Sequence, residues 1–379
     1  MKATSRVTPM STFLALLVRA WEFLARRVDA YLMAAALAIV GVGMVTLFSA
    51  SDQSIARVTS QAGALGLALV LMWIVANVPP QQLLRAAVPL YALGLLLLCA
   101  VALGGTVVNG SRRWLTIGVA RFQPSELMKI ALPLMLAWYF QRHETRMGLT
   151  DFLVAAVLIV VPVWLIKREP DLGTALMIGA SGFYVLYLAG LSWKIMLGLA
   201  AGAGAAAPLI WTHLHDYQKE RILTFIDPAR DPLGAGYHSS QASIALGSGG
   251  MVGKGWLNGT QTHLDFLPER HTDFIFAVFG EEFGLIGNAV LLVLYLLLIA
   301  RAFVITMNAS TMFARLLAGA ITLMFFTYAF VNMAMVSGLL PIVGVPLPLI
   351  SFGGTALVSL FIGLGILMNV QANRKLVKT

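Results

Sequence analysis

An all-α polytopic membrane protein with ten transmembrane helices is the fold that this sequence predicts, and three observations predict it. The 379 residues are 59% hydrophobic and only 11% Asp, Glu, Lys and Arg, against the ~25% charge of an ordinary soluble chain. The apolar residues gather in runs of about 20, the length that crosses a bilayer core. The basic residues, in net excess by +9, sit mostly at the ends of those runs. There they report topology rather than nucleic-acid binding.

The chain opens with STFLALLVRAWEFLARRVDA (11–30). Arg19, Glu22, Arg26 and Asp29 recur at spacings of three and four, opposite Leu16, Leu17, Phe23 and Leu24. With no clear small-residue cleavage site, this reads as an amphipathic helix lying on the membrane surface, not a signal peptide. Residues 1–30 are thus expected to form a cytoplasmic tail, and 31–379 a single membrane domain. The spanning segments are 31–51, 59–78, 85–105, 124–141, 151–167, 172–190, 193–212, 274–300, 312–337 and 349–370. Only KREPD (167–171) separates the fifth from the sixth. An even number brings both termini to one side. With the N-terminus inside, the inner segments carry 14 Lys and Arg and the short outer loops six, so both termini are expected in the cytoplasm.

This topology places a long loop, 213–272, on the extracytoplasmic side between helices seven and eight. It holds five of the six histidines, together with Lys219, Arg221, Arg230, Lys254 and Arg270. Loops longer than about 15 residues are functional or disordered, and the apolar and aromatic positions in this one favour an ordered, functional loop. The histidines show no H-E-x-x-H or similar metal spacing. Cys99 is the only cysteine; it cannot form an intrachain disulfide, and its apolar surroundings indicate packing.

Several stretches could carry chemistry. ALGSGGMVGKGWLNGTQ (245–261) looks like a phosphate loop, but Ser248 stands where a P-loop needs its first Gly, and Gly255 where it needs Ser or Thr. No nucleotide is expected. The stretch is either a simple Gly-rich turn or a set of backbone amides around an anion, with Lys254 adding charge. In RFQPSELMK (121–129), Pro124 suits a first helical turn, and Glu126 and Lys129 share one face at i, i+3. They are either a structural pair or a pair that orients a partner in a cavity. Arg112, Arg113, Arg121, Lys129, Lys167, Arg168, Arg221, Lys254 and Arg270 all fall on or near the outer side. Positive charge there opposes the topology rule, and an anionic lipid pyrophosphate would account for it. Asp273, at the mouth of segment eight, reads locally as a helix N-cap. Glu281 and Glu282 follow about 12–14 Å deeper, where carboxylates need internal hydrogen bonds or a polar cavity.

Taken together and in order, RFQPSE, PDLGT, DPLGAGYH…GSGG…GKGW…GTQ, FLPERHTDFIFA, EEFG and GVPLPLISFGG resemble the SEDS proteins (shape, elongation, division and sporulation) from about residue 31 to the C-terminus. The PERHTDF form is similar to the elongation branch. The resemblance implies ten transmembrane helices in the bacterial cytoplasmic membrane, and a glycosyltransferase that polymerises lipid II into peptidoglycan strands on the outer face during elongation and maintenance of rod shape. It implies a class B penicillin-binding protein, a transpeptidase, as partner. It maps the essential acid onto Asp273, a supporting acid–base pair onto Glu126 and Lys129, and a further acid onto Asp171. The implied reaction inverts an α-linked pyrophosphate to a β-1,4 bond. Asp273 would act as general base, undecaprenyl pyrophosphate would leave, and outer cations such as Arg112, Arg113, Arg121, Arg221, Lys254 and Arg270 would neutralise it, with a divalent metal ion as a further candidate for that role. A flippase for the lipid-linked precursor and a non-catalytic scaffold of the elongation complex are the alternative readings. The KRE before Pro170 is more charged than expected and leaves Lys167 and Arg168 without a role.

Overall fold

The computed structural model describes residues 26–374, apart from 109–110, 118–119, 170, 215, 228–234, 264–266 and 268. The amphipathic helix expected over 11–30 lies almost wholly outside the described residues. All ten expected spanning segments are helical. The first three are α1 (Ala30–Ala50), α2 (Ile55–Asn77) and α3 (Pro80–Gly104). A short antiparallel sheet that the hydropathy pattern does not signal follows, with β1 (Thr106–Val108), β2 (Ser111–Ile117) and β3 (Ala120–Phe122) in the order β1-β2-β3. Then come α4 (Pro124–Arg142), α5 (Leu149–Arg168), α6 (Leu172–Leu188) and α7 (Trp193–His213). The long loop contains α8 (Asp216–Ile226), α9 (Ala235–Ser248) and the short α10 (Thr260–His263), so it is ordered in part as helix. The chain returns through α11 (Ile275–Met307), α12 (Met312–Val336) and α13 (Gly354–Ala372).

Among the described residues, seven of these helices are long and apolar enough to cross a membrane by length and composition alone. The polar residues of α4 lower its hydropathy, and α6 and the apolar part of α7 (Trp193–Leu209) are shorter. Helix starts follow local chemistry. Asp29 accepts from Leu32 N, Ser54 from Arg57 N and Thr311 from Ala314 N, each capping its helix. Pro80 and Pro124 open α3 and α4, where a missing N–H costs nothing. Asp29 also receives Arg301 of α11, at 3.0 Å from Nε to Oδ1, which joins the first and eighth spanning helices. The core runs through α4, α12 and α13. Close approaches there need glycine: a Cβ at Gly365 would lie 2.6 Å from the Met72 carbonyl oxygen of α2.

Two departures from regular helix shape the end of the bundle that carries Asp273. The segment expected over 349–370 begins as helix only at Gly354. Residues 337–353 form an irregular stretch whose Val345, Leu347, Leu349 and Ile350 are buried. Helix α11 is also broken at Gly284, with φ 65° and ψ −164°. A regular helix would pair Leu285 N with Glu281 O, and Ile286 N with Glu282 O. The break frees these four groups, and the Gly-rich turn takes all four. Lys254 N donates to Glu281 O at 3.0 Å and Gly255 N to Glu282 O at 3.0 Å, while Leu285 N donates to Gly250 O at 2.9 Å and Ile286 N to Met251 O at 3.1 Å. In a bilayer, non-helical backbone is tolerated only where protein satisfies it in this way.

Candidate functional site

Two elements hold Asp273 in place, α12 and the irregular stretch 337–353. Its backbone carbonyl accepts the Asn332 amide of α12 at 2.8 Å, and the same amide reaches Val345 O at 2.7 Å. Ser351 donates to Thr272 O at 2.6 Å, and Phe352 N donates to His271 O at 2.9 Å. The GVPLPLISFGG stretch therefore grips the two residues before the acid, and Asn332 the acid's own carbonyl. The carboxylate itself caps nothing. Helix α11 begins at Ile275 with Phe274 as its N-cap and no side-chain cap bond, so the N-cap reading of Asp273 is not what the structure shows. A Cβ on Gly344 would lie 3.4 Å from Asp273 Oδ2, in van der Waals contact with the acid, and the φ of 75° there favours glycine.

The Asp273 side chain lines a cavity of about 400 Å³, within the ~300–1,000 Å³ range of ligand sites. Glu126, Lys129, Asp171 and Arg113 line the same cavity, so five of the residues singled out in the sequence converge. Glu126 and Lys129 are almost fully buried and lie 2.7 Å apart. Ser359 of α13 donates to the second Glu126 oxygen at 2.6 Å, and Lys129 Nζ lies 4.9 Å from the centre of the Tyr328 ring. Both ionic groups are thereby matched, as a buried pair requires. Asp171 caps α6, accepting from Thr174 N at 3.0 Å and Thr174 Oγ1 at 2.9 Å, and meets Arg113 Nη1 of β2 at 3.3 Å. The small sheet thus carries Arg113 to the cavity rim.

Burial pushes the Asp273 carboxyl up to about 6, helped by the negative charges of Glu269 and Asp171 and opposed by Arg221 and Arg113. A carboxylate of that strength is close to the ideal for a base working near neutral pH. Arg221, on α8, thus acts on Asp273 through its charge, though it is not among the cavity-lining residues.

The other cations are placed differently. Lys254 is bound to the buried Glu281 at 2.7 Å, where Thr260 and the Gln261 amide also donate. Arg270 bonds Asp52 and the Thr262 carbonyl. Neither lines the cavity; both brace the loop against the bundle. The Lys254 and Gly255 amides serve the broken helix, so the Gly-rich turn is not an anion cradle there. Glu281 has the internal hydrogen bonds expected of a deep carboxylate, and Glu282 accepts from Ser49. Arg112 of β2 pairs with Val107 of β1, and Arg121 of β3 with Thr116 of β2, but their side chains lie outside the described residues. A metal would need carboxylates free to converge. Among the described residues no three His, Cys, Asp or Glu do so, and Glu126 and Asp171 are already engaged. Sequence reasoning missed Asn332, Ser351, Ser359 and Tyr328, whose isolated polar side chains carry no local pattern.

Comparison with known proteins bears on this arrangement. The FtsW/RodA/SpoVE cell cycle protein model matches residues 24–376. The chain belongs to the FtsW/RodA/SpoVE family. It is 47% identical over 341 residues to the peptidoglycan glycosyltransferase MrdB of Escherichia coli K12, covering 90% of this chain and 92% of that one. It is 35% identical over 366 residues to the probable peptidoglycan glycosyltransferase FtsW of Trichlorobacter lovleyi, covering 92% and 94%. The fold is similar to the crystal structure of the Thermus thermophilus rod shape determining protein RodA, with TM-score 0.70, 31% identity, and 91% and 97% of the two chains covered. It is also similar to a chain from work on structural coordination of polymerization and crosslinking by a peptidoglycan synthase complex, with TM-score 0.81, 34% identity, and 92% and 98% covered. As a family member it is a polytopic helical membrane protein.

Proposed function

We propose that this chain is a peptidoglycan glycosyltransferase that extends glycan strands from lipid II, with Asp273 as general base. The observation that carries the reading is the Asp273 carboxylate. It has no hydrogen-bond partner among the described residues and lines one cavity with Arg113 and Lys129. A hydrogen-bonded structural acid would be satisfied by its neighbours; this one is left for a ligand.

In the proposed reaction the 4-hydroxyl oxygen of the acceptor sugar attacks the anomeric carbon of the donor. The C–O bond to the α-linked pyrophosphate breaks, a β-1,4 bond forms, and the hydroxyl proton passes to Asp273. A pyrophosphate departs as an anion and needs no acid to protonate it. One carboxylate with nearby cations therefore suffices, unlike the acid–base pair of an inverting glycosidase. Lys129, held by Glu126 and Tyr328, supplies fixed charge at the cavity floor. Arg113, shared with Asp171 at the rim, supplies the second cation.

The membrane sidedness follows from the substrate and the charge count. The Asp273 end faces the extracytoplasmic side and both termini face the cytoplasm. A class B penicillin-binding protein is the proposed partner, a pairing supported by the similarity to a chain of a peptidoglycan synthase complex. The test is polymerisation of labelled lipid II by purified Asp273→Asn protein in complex with the transpeptidase. Asn keeps the shape and cannot accept the proton, so glycan synthesis should fall by about 10²-fold or more, with complex formation intact. Near-normal synthesis would sink the assignment.

A further inference from the structure

The KREPD stretch between α5 and α6 contains a carboxyl that the proposed mechanism does not use. Lys167 and Arg168 are exposed, with Arg168 stacked 3.7 Å from the centre of the Trp164 ring. Glu169 turns the other way and is 3% exposed. Its Oε1 is buried without a hydrogen-bond partner, and so is Nε of Arg113. A buried acceptor and a buried donor, each unpartnered, thus lie in the neighbourhood of one ion pair. Arg113 is committed through Nη1 to Asp171, and Asp171 is anchored by both of its bonds to Thr174. The guanidinium, with a single pairing and the more exposed side chain, is the less anchored member of the group.

We infer that Glu169 is a positioning residue that acts through Arg113: as a neutral acid it leaves the guanidinium to Asp171 and the cavity, and as an anion it draws the guanidinium toward the end of α5. The charged groups acting on Glu169 are Asp171, from the start of α6, and Arg113, from β2. Lys167 and Arg168 of its own segment are exposed to the outside. Burial first, and then the charge of Asp171, push its carboxyl up to about 8, against the pull of Arg113. At pH 7 the acid is mostly neutral. When ionised it adds a second negative charge beside Asp171 and attracts the unpartnered Nε, competing with Asp171 for the guanidinium. Lys129 is already matched by Glu126, so Arg113 is the cavity cation that can respond. Its displacement weakens the hold on an anionic diphosphate.

The inference rests on the polymerase reading of the cavity, and the experiment separates the two. Lipid II polymerisation by the complex with its transpeptidase is measured from pH 6 to 9.5 for wild type, Glu169→Gln and Arg113→Gln. Wild-type activity should fall about tenfold between pH 7 and 9, with the loss appearing in KM for lipid II. Glu169→Gln is permanently neutral. It should match wild type within about twofold at pH 7 and keep that activity to pH 9. Arg113→Gln removes the group through which Glu169 acts. It should be weaker throughout and should also lack the alkaline fall. An unchanged alkaline fall in either variant overturns the inference, as does a folded Glu169→Gln protein that is inactive at every pH. Full activity of Asp273→Asn would instead overturn the cavity reading itself.

Discussion

Replacing Gly253 by alanine tests whether the Gly-rich turn and the broken helix form one unit. Gly253 has φ 81°, and a Cβ there would lie 2.1 Å from Glu282 O and 2.5 Å from its carbonyl carbon. Relieving the overlap moves the turn away by about 1 Å. The two bonds from Lys254 N and Gly255 N, now 3.0 Å each, then stretch to about 4 Å and cease to be hydrogen bonds. Two buried carbonyls lose partners at about 1–3 kcal/mol each, and the left-handed backbone adds about 1–2 kcal/mol for a residue with a Cβ. The sum, on the order of 3–8 kcal/mol, rivals the ~5–15 kcal/mol that holds a typical domain together. Gly247→Ala is the control: a Cβ there meets nothing within 4 Å, and the residue is helical within α9. Thermal unfolding in detergent, followed by size-exclusion of the heated protein, should show Gly253→Ala melting on the order of 10 °C below Gly247→Ala. Equal midpoints would refute the reasoning and mean that the four crossed bonds carry no stability.

Three further outcomes are expected. Lys129→Met leaves Glu126 as a buried, uncompensated charge and should cost about 3–5 kcal/mol, whereas Lys129→Met with Glu126→Gln should recover much of that stability without activity; equal melting points for the single and double variants would contradict it. Polymerisation should fall about tenfold between pH 7 and 5, because the raised Asp273 carboxyl becomes protonated over that range and cannot act as base. The same raised value means that ionising Asp273 strains the fold as pH rises from about 4 to 6, so Asp273→Asn should melt above wild type at pH 7.5, and a lower midpoint would argue against it. In a Cys99→Ser background, single cysteines at the exposed Glu220 and His143 should react with an impermeant thiol reagent from opposite faces of the membrane; labelling from one face would break the proposed sidedness.

Periodicity and length made the ten helices legible, because a bilayer-spanning run is a local property of the sequence. Even α4 was visible, as its Pro start and apolar run outweigh Glu126 and Lys129. The cavity residues Asp273, Glu126, Lys129, Asp171 and Arg113 were legible for a related reason: charges beside a membrane segment stand out against an apolar background. What was not legible depends on distant partners. Lys254 and Arg270 look like ligands for an anion until Glu281, Asp52 and the Thr262 carbonyl are seen beside them. Gly284 reads as one more small residue in an apolar helix, and only the turn at 250–255 makes a break there tolerable. Asn332 and Ser351 are single polar residues whose role is to hold a backbone far away in sequence. Residues 349–353 continue the apolar run of α13, yet they bind Thr272 and His271 rather than extending the helix.

The grip on Asp273 also has a direction in time. The acid is held by Asn332 and Ser351, and the cavity floor is tied by Ser359, so every one of these supports lies C-terminal to the residue it serves. Synthesis proceeds from the N-terminus, and elements fold as they emerge. Asp273 therefore enters the membrane before anything exists to aim it. A nascent chain, or one cut short before α12, presents the acid on a loose tether with an open cavity beside it. The last support to arrive is Ser359 on α13, so the cavity floor is tied only when the final helix has docked.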